Sequence, residues 1–139
     1  MCLKRDLKRI VTLQKKALRA IDNVKINSPT CPILKKHTIL KIEDCINLEL
    51  SKMALKVSKN ALPTPILDLF KVGTDFHNYE TRNRHNPVVE KHRLAIYNKS
   101  FLCKCPMLWS NLKDDFKNSK TVKSFSKKYK KDRINQYKN

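Results

Sequence analysis

Two pairs of residues in this chain have types that could carry metal or phosphoryl-transfer chemistry. Adjacent aspartates such as Asp114-Asp115 can hold metal ions, but two-metal catalysis also needs a further carboxylate and a rigid sheet that fixes both ions. Because the pair precedes a helical segment, its carboxylates suit a helix N-terminus. Cys103-x-Cys105 is spaced more closely than most zinc ligands and lacks a downstream Cys or His pair. We therefore expect no catalytic residue, no cofactor and no metal, with buried thiols favoured over a zinc site.

A polar loop in the middle of the chain groups residues that could contact a nucleic acid. His77 and Tyr79 could stack on bases, while Arg82 and Arg84 hold phosphate groups. A loop that forms hydrogen bonds only with its own core explains these residue types equally well. The loop is therefore a candidate for base stacking, and the alternative stays open.

The charge balance narrows the class of partner. The chain has 31 Lys and Arg against 12 Asp and Glu, a formal net charge of +19. Such a surplus favours RNA, DNA or an RNA–DNA hybrid as partner, with an acidic protein or an anionic membrane surface as the alternative. Most of the basic residues are Lys, which suits phosphate contacts more than the recognition of base edges. A single glycine excludes the glycine-rich loops that cradle nucleotide phosphates.

The spacing of apolar residues predicts a mainly α fold, a small multi-helical bundle that positions these basic side chains. Helices are expected over residues 5–22, 42–59 and 64–70, with a basic C-terminal helix from about residue 120. Short apolar runs at Val88-Val89 and 94–97 also allow a short β-hairpin. The fold should therefore present its charge mainly on helices.

Particular residues are expected to define the faces and ends of these helices. Thr64 and Ser119 are predicted N-caps, and Gly73 is predicted to end the third helix. Trp109 should lie at the centre of a smaller C-terminal core. The predicted apolar faces are Leu7, Ile10, Val11, Gln14, Leu18 and Ile21 in the first helix, Cys45, Ile46, Glu49, Leu50, Met53, Ala54 and Val57 in the second, and Val122, Phe125 and Tyr129 in the last.

The predicted phosphate-contacting residues occupy three places: the outer face of the first helix, the middle loop with the residues after it, and the last helix. They are Lys8, Lys15, Lys16, Arg19, Arg82, Arg84, Lys91, Arg93, Lys99, Lys123, Lys127, Lys128, Lys130 and Lys131. For the first helix, a basic face that only contacts solvent is an equally good interpretation. These residues therefore form a hypothesis about binding that depends on their exposure.

Cysteine usage and hydropathy indicate a compartment. The five cysteines are odd in number and irregularly spaced, unlike a disulfide framework. No segment resembles a signal peptide, and no run approaches the roughly 18 apolar residues that a membrane span requires. We expect an intracellular protein of the nucleus or cytoplasm without a transmembrane segment.

A series of spaced motifs adds a resemblance to a known family. The motifs are Leu13-Gln14-Lys15-Lys16-Ala17-Leu18-Arg19, Ile39-Leu40-Lys41-Ile42, Leu62-Pro63-Thr64-Pro65, His77-x-Tyr79-x-Thr81-Arg82-Asn83, Pro106-x-Leu108-Trp109 and the basic segment from Ser119 to Lys131. In this order they resemble the C-terminal region of reverse transcriptases of jockey-like non-LTR (LINE-type) retrotransposons. Cys105, Ser110 and Lys113 stand where that family favours Gly, Asn and Pro, which is typical of a diverged copy.

The resemblance implies a place in a larger RNA-directed DNA polymerase. Residues 1–72 would correspond to its helical thumb region, and residues 73–139 to the C-terminal region with the Trp-centred core and the basic helix. The catalytic palm, with its Tyr-x-Asp-Asp motif, would precede Met1. The resemblance therefore implies a fragment that grips RNA or primer-template and has no catalytic activity of its own, with the N-terminal polymerase portion as a further partner.

Overall fold

The computed structural model describes residues 4–75, 78–80, 84, 87–89, 93 and 97–137. This part of the chain is mainly helical, which confirms the predicted fold class. Its helices are α1 (Lys4–Ile21), α2 (Cys31–Lys36), α3 (Ile42–Ser58), α4 (Thr64–Leu67), α5 (Phe101–Ser110), α6 (Asp114–Lys117) and α7 (Val122–Gln136), with short 3-10 helices at Gly73–Asp75 and Tyr97–Lys99. The predicted hairpin at 88–97 lies largely outside the described residues. Among those residues, an isolated antiparallel bridge joins Val72 and Pro87.

The chain forms two compact units that alternate along the sequence. The first, here called the terminal unit, comprises residues 1–46 and 127–139, and the second, the central unit, comprises residues 47–126. Both α3 and α7 therefore contribute residues to each unit. The division at residue 72 into a thumb-like region and a C-terminal region concerns function. These two compact units do not test it, and it stays a prediction.

In the terminal unit, a polar side chain on the inner face of α1 joins this helix to the start of α3. Gln14 donates from Nε2 to the carbonyl of Leu40 at 2.8 Å and accepts the N–H of Ile42 at 3.1 Å. Leu18, one turn later on the same face, is buried. Because both ends of the Gln14 amide are satisfied by backbone groups, a polar residue can occupy this half-buried position.

The end of α1 is joined to α2 by Asp22. Its carboxylate accepts hydrogen bonds from Lys36 Nζ at 3.0 Å and from the His37 ring at 2.7 Å. These two hydrogen bonds, with His37 the larger cause, lower the pKa of Asp22 below its ordinary value. Ile33 and Leu34 of α2 are buried, so the short helix contributes apolar residues to the core of this unit.

Three helices end on the same backbone motif. Asn23, Thr38 and Asn60 follow α1, α2 and α3 and have φ values of 50°, 52° and 51°. The next residue in each case donates its N–H to the carbonyl five positions earlier, at 3.0, 2.9 and 2.9 Å. This is the Schellman motif, which normally favours glycine at the left-handed position. The chain ends these helices without using its single glycine.

The core of the central unit is built from aromatic side chains that contact each other edge to face. The Phe70 and Phe101 rings are 5.2 Å apart, and the Phe116 and Phe125 rings are 6.3 Å apart. Trp109 is 2% exposed, which confirms its predicted place in a core. Phe125 fixes the first turns of α7 in this unit.

The structure corrects two predicted apolar faces. In α1, Ile10 and Ile21 are 39% and 64% exposed, because the buried face is narrow and runs through Leu18. In α3, the predicted Ala54 and Val57 are buried, but the buried face continues through Leu48, Ser51 and Leu55, so it is rotated away from the predicted Ile46, which is exposed. Apolar residues occur on several sides of this helix, so its orientation depends on tertiary packing.

Three predicted helix ends are also wrong. Thr64 is the first residue of α4, and Pro63 precedes it as the cap. The cap of α7 is Thr121, which directly precedes the first helical residue, Val122, and whose Oγ1 accepts the N–H of Ser124 at 3.1 Å, whereas Ser119 lies further upstream and is buried. Gly73 has no positive φ. Instead, a Cβ at this position would lie 2.8 Å from the carbonyl oxygen of Arg84, so the glycine permits a close approach of two backbone segments.

Candidate nucleic-acid interface

The outer side of α7 carries a row of exposed lysines. Lys123, Lys127, Lys130 and Lys131 are all exposed and are spaced i, i+4, i+7 and i+8, which places them within an arc of about 100°. They span about 12 Å along the helix axis. This set is called here the α7 lysine face. Lys128 is also exposed, but it points to a different side of the helix.

Several other polar side chains of α7 interact within the protein. Arg133 Nε lies 4.0 Å from a carboxylate oxygen of Asp44, and its guanidinium lies 5.2 Å from the Tyr129 ring. Asp132 accepts a hydrogen bond from Gln136 at 2.5 Å. In the part of the chain that the structure describes, no carboxylate lies within ion-pair distance of the α7 lysine face. Its positive charge is therefore available to a polyanion.

The C-terminal part of α7 is anchored by buried aromatic rings. Tyr129 and Tyr137 are 2% and 5% exposed. The Tyr137 hydroxyl accepts the N–H of Lys41 at 2.9 Å and donates to the Asp44 carboxylate at 2.7 Å. Burial, followed by this bond to Asp44, raises the pKa of Tyr137 above its ordinary value. The anchor holds the helix with one side turned to solvent.

A second basic surface lies on α1. Lys8, Lys15 and Lys16 are exposed, as is Arg9, which was not among the predicted contacts. Arg19 is half-buried and donates from Nε to the carbonyl of Ser28 at 3.0 Å. Part of its hydrogen-bonding capacity therefore supports the loop that follows α1, while the other basic groups of the helix contact solvent.

The middle loop is described only in part. Tyr79 is 78% exposed, so its ring is accessible for stacking. Arg84 lies 3.6 Å from the carboxylate of Glu80, and Arg93 is exposed. The predicted contacts His77, Arg82 and Lys91, and the side chain of Lys99, lie outside the described residues. Whether the loop forms one cluster therefore stays a prediction.

Of the two residue pairs considered for catalytic or metal chemistry, the aspartates lie at the start of a helix and the cysteines are buried. Asp114 and Asp115 occupy the first turn of α6, as predicted, and Asp114 lies 3.7 Å from Lys117. Cys103 and Cys105 are 2% and 0% exposed, which confirms the predicted burial, and burial raises the pKa of the Cys105 thiol to about 12. Among the described residues, no group of three Cys, His, Asp or Glu side chains could hold a metal ion.

The positive charge is concentrated in the terminal unit. Residues 1–46 and 127–139 contain 17 Lys and Arg against 5 Asp and Glu, a formal charge of +12. The central unit, with 14 against 7, has a formal charge of +7. Both the α1 surface and most of the α7 lysine face thus belong to the more basic unit.

Sequence reasoning missed some cations that the structure uses. Lys59 donates hydrogen bonds from Nζ to the carbonyls of Ser119 and Lys120 and so supports the turn before α7. Lys36 and His37 bind Asp22. Their partners lie 14 to 61 residues away, so no local spacing could have identified these roles.

Comparisons of the chain with protein-family models, curated proteins and solved structures find no match. None of the described helices is both long and apolar enough to cross a bilayer.

Proposed function

We propose that this chain binds RNA, DNA or an RNA–DNA hybrid inside the cell, through contacts to phosphate groups and without catalytic activity of its own. The observation that carries the proposal is the α7 lysine face, a row of exposed cations on a helix anchored by buried Tyr129 and Tyr137. Supporting it is the resemblance to the C-terminal region of LINE-type reverse transcriptases, in which catalysis would belong to the polymerase portion. In this proposal the chain binds the nucleic acid, and catalysis belongs to the polymerase portion.

The residue types favour binding that is independent of base sequence. Lysine places a compact charge on a flexible stem, whereas arginine offers a planar fork suited to base edges and bidentate contacts. The arginine of α7, Arg133, is directed toward Tyr129 and Asp44 within the protein. Binding should therefore depend on the phosphate backbone and vary little with sequence. Exposed Tyr79 can add stacking to an unpaired base.

The test is a salt titration of affinity. Purified chain is titrated into labelled single-stranded RNA, duplex DNA and a hybrid of mixed sequence, with fluorescence anisotropy as the readout. If about six phosphates are contacted, affinity should fall on the order of 10³-fold between 50 and 200 mM salt. Absence of binding at the lower salt concentration, or binding that salt does not weaken, overturns the proposal.

A matched pair of variants locates the contacts. The triple variant Lys127→Gln, Lys130→Gln and Lys131→Gln removes three exposed cations from the α7 lysine face and should make the slope of log affinity against log salt shallower by about two to three. The control, Lys52→Gln, Lys113→Gln and Lys117→Gln, removes the same charge from the central unit, where Lys52 and Lys117 are already paired with Glu49 and Asp114. Equal losses in both variants would contradict the role of this face.

A further inference from the structure

Large apolar side chains are exposed in one short segment of the chain. Ile10, Leu13, Ile21, Val24 and Ile26 are 39%, 62%, 64%, 38% and 82% exposed. They account for five of the nine large apolar side chains that are exposed in the described residues, although they lie within seventeen consecutive positions. Single exposed apolar residues are ordinary, but a concentration of this kind marks a surface that contacts something.

On α1 these residues form a face distinct from the buried one. Ile10, Leu13 and Ile21, with exposed Ala17 and Ala20 between them, fall within an arc of about 100° at helical spacing. Leu18, on the inner face, lies outside this arc and is buried. The helix therefore has an apolar surface left over after its packing within the terminal unit, and this is called here the α1 apolar face.

Exposed cations border the α1 apolar face on the side away from the buried face. Helical spacing places Arg9 and Lys16 directly beside the apolar arc, and both are exposed. Lys25 follows between Val24 and Ile26 and is exposed as well. From residue 8 to residue 26 the sequence contains six Lys and Arg and a single acidic residue, Asp22, whose carboxylate is bound by Lys36 and His37.

We infer that the α1 apolar face rests on an anionic lipid bilayer surface, independently of the nucleic-acid binding proposed above. An apolar stripe bordered by lysine and arginine is the pattern of helices that lie in the bilayer interface. The apolar side chains enter the boundary between headgroups and acyl chains, and the cations meet the phosphates and carboxylates of anionic lipids. The apolar residues give the affinity, and the charges select an anionic membrane over a neutral one.

The α1 apolar face and the cations beside it suit a bilayer better than they suit a protein partner. A second copy of the chain would bring Arg9 and Lys16 close to the identical residues of its partner, across a unit with a formal charge of +12. A partner helix would contact only the helical part of the segment, whereas exposure continues at Val24 and Ile26 beyond the last residue of α1. A bilayer surface can accommodate both the helix and the residues that follow it.

The test measures partition of the full chain onto vesicles. Vesicles of phosphatidylcholine alone and of phosphatidylcholine with about one third phosphatidylserine are mixed with the chain, and bound protein is separated by flotation. We expect binding to the anionic vesicles and little binding to the neutral ones. Because cations elsewhere on the chain also attract anionic lipid, the decisive comparison is between variants.

The variant Leu13→Ser with Ile21→Ser shortens two side chains that are 62% and 64% exposed, so folding should be unaffected. Its partition onto anionic vesicles should fall by about tenfold or more. The control Leu69→Ser with Met107→Ser changes two residues of the central unit that are 58% and 48% exposed and should bind like the wild type. Binding of the first variant at the wild-type level overturns the inference.

Three further results would also overturn it. One is an absence of binding to the anionic vesicles. Another is a wild-type dimer by light scattering that becomes monomeric in the Leu13→Ser, Ile21→Ser variant, since this would assign the face to a second copy. The third is binding of a designed acidic amphipathic peptide without binding of vesicles, which would assign the face to a protein. The same variant should retain its affinity for RNA, so the two proposals fail separately.

Discussion

The left-handed backbone conformation of one residue, Thr38, is expected to lower the stability of the protein. Of the three residues that end helices in the left-handed region, Asn23 and Asn60 are of a type that tolerates it, whereas Thr38 has a φ of 52° and a β-branched side chain. The left-handed conformation costs roughly 1–2 kcal/mol for residues with a Cβ. Thr38 is exposed, so its side chain offsets little of this cost by packing.

Thr38→Gly should therefore raise the free energy of unfolding by about 1 kcal/mol, because the relief of strain exceeds the added entropy of the unfolded chain. The measurement is urea denaturation followed by circular dichroism. Asn60→Gly, at the same position of the same motif, is the matched control and should change stability by less than about 0.5 kcal/mol, because Asn tolerates the left-handed region. A clear loss of stability in Thr38→Gly would contradict the left-handed conformation.

The positions of some single residues could be predicted from the sequence alone, and those of others could not. The carboxylates of Asp114 and Asp115 were predictable, because acidic residues before a helical segment favour its first turn whatever the tertiary structure. The choice between Ser119 and Thr121 as cap of α7 was not, since both hydroxyls have the same local chemistry. The start of α7 at Val122 decides it, and the turn before this helix is held by Lys59, a residue far away in the sequence.

Among the elements, the attachment of α7 leads to a second prediction. Tyr137→Phe keeps the buried ring but removes the hydroxyl that accepts from the Lys41 N–H and donates to Asp44. The change should lower the free energy of unfolding at neutral pH by about 1–2 kcal/mol, because it leaves two part-buried groups without that partner. Urea denaturation measures the loss. Tyr79→Phe, at a side chain that is 78% exposed, should have no comparable effect.

The stability difference between the wild type and Tyr137→Phe should also depend on pH. The pKa of Tyr137 is raised in the folded protein, by burial first and then by its bond to Asp44. Unfolded tyrosine ionises at about pH 10, so the contribution of this group is fully present below that pH and declines as the pH rises toward the folded-state pKa. The difference in unfolding free energy between wild type and Tyr137→Phe should shrink above about pH 10. A difference that stays constant across this range would rule out the shifted ionisation.

Helices α3 and α7 show why one buried face was predictable and the other was not. In α7 the predicted face included Phe125 and Tyr129, and both are buried, since few other apolar residues compete with them. In α3 apolar residues occur on nearly every side, and Leu48 and Leu55 rather than Ile46 face the interior. A sequence with apolar residues all around a helix leaves its rotation to the tertiary packing.

At the scale of the whole molecule, electrostatic repulsion should limit stability. A formal charge of +19 on 139 residues disfavours the compact state, because like charges are brought closer together on folding. Added sodium chloride screens this repulsion. We therefore expect the melting temperature to rise by about 2–5 °C between about 20 and 500 mM sodium chloride.

The rise in melting temperature with salt should be smaller in the Lys127→Gln, Lys130→Gln, Lys131→Gln variant, because this variant lacks three of the like charges of the more basic unit. Thermal unfolding monitored by circular dichroism gives both values. A melting temperature that falls with salt would mean that ion pairs such as Lys36–Asp22 contribute more to stability than repulsion takes away.

The terminal unit also has a consequence for synthesis on the ribosome. Its two segments are separated by the whole central unit, and Tyr137 lies 93 and 96 residues after its partners Asp44 and Lys41. Residues 47–126 can fold as they emerge, as domains generally do during translation. The contacts of Tyr137 with Lys41 and Asp44 must wait for the residue after α7 and for the closure of a long loop, which slows completion of this unit. Until then, a nascent chain exposes both its apolar side chains and its positive charge to chaperones and to the RNA of the ribosome.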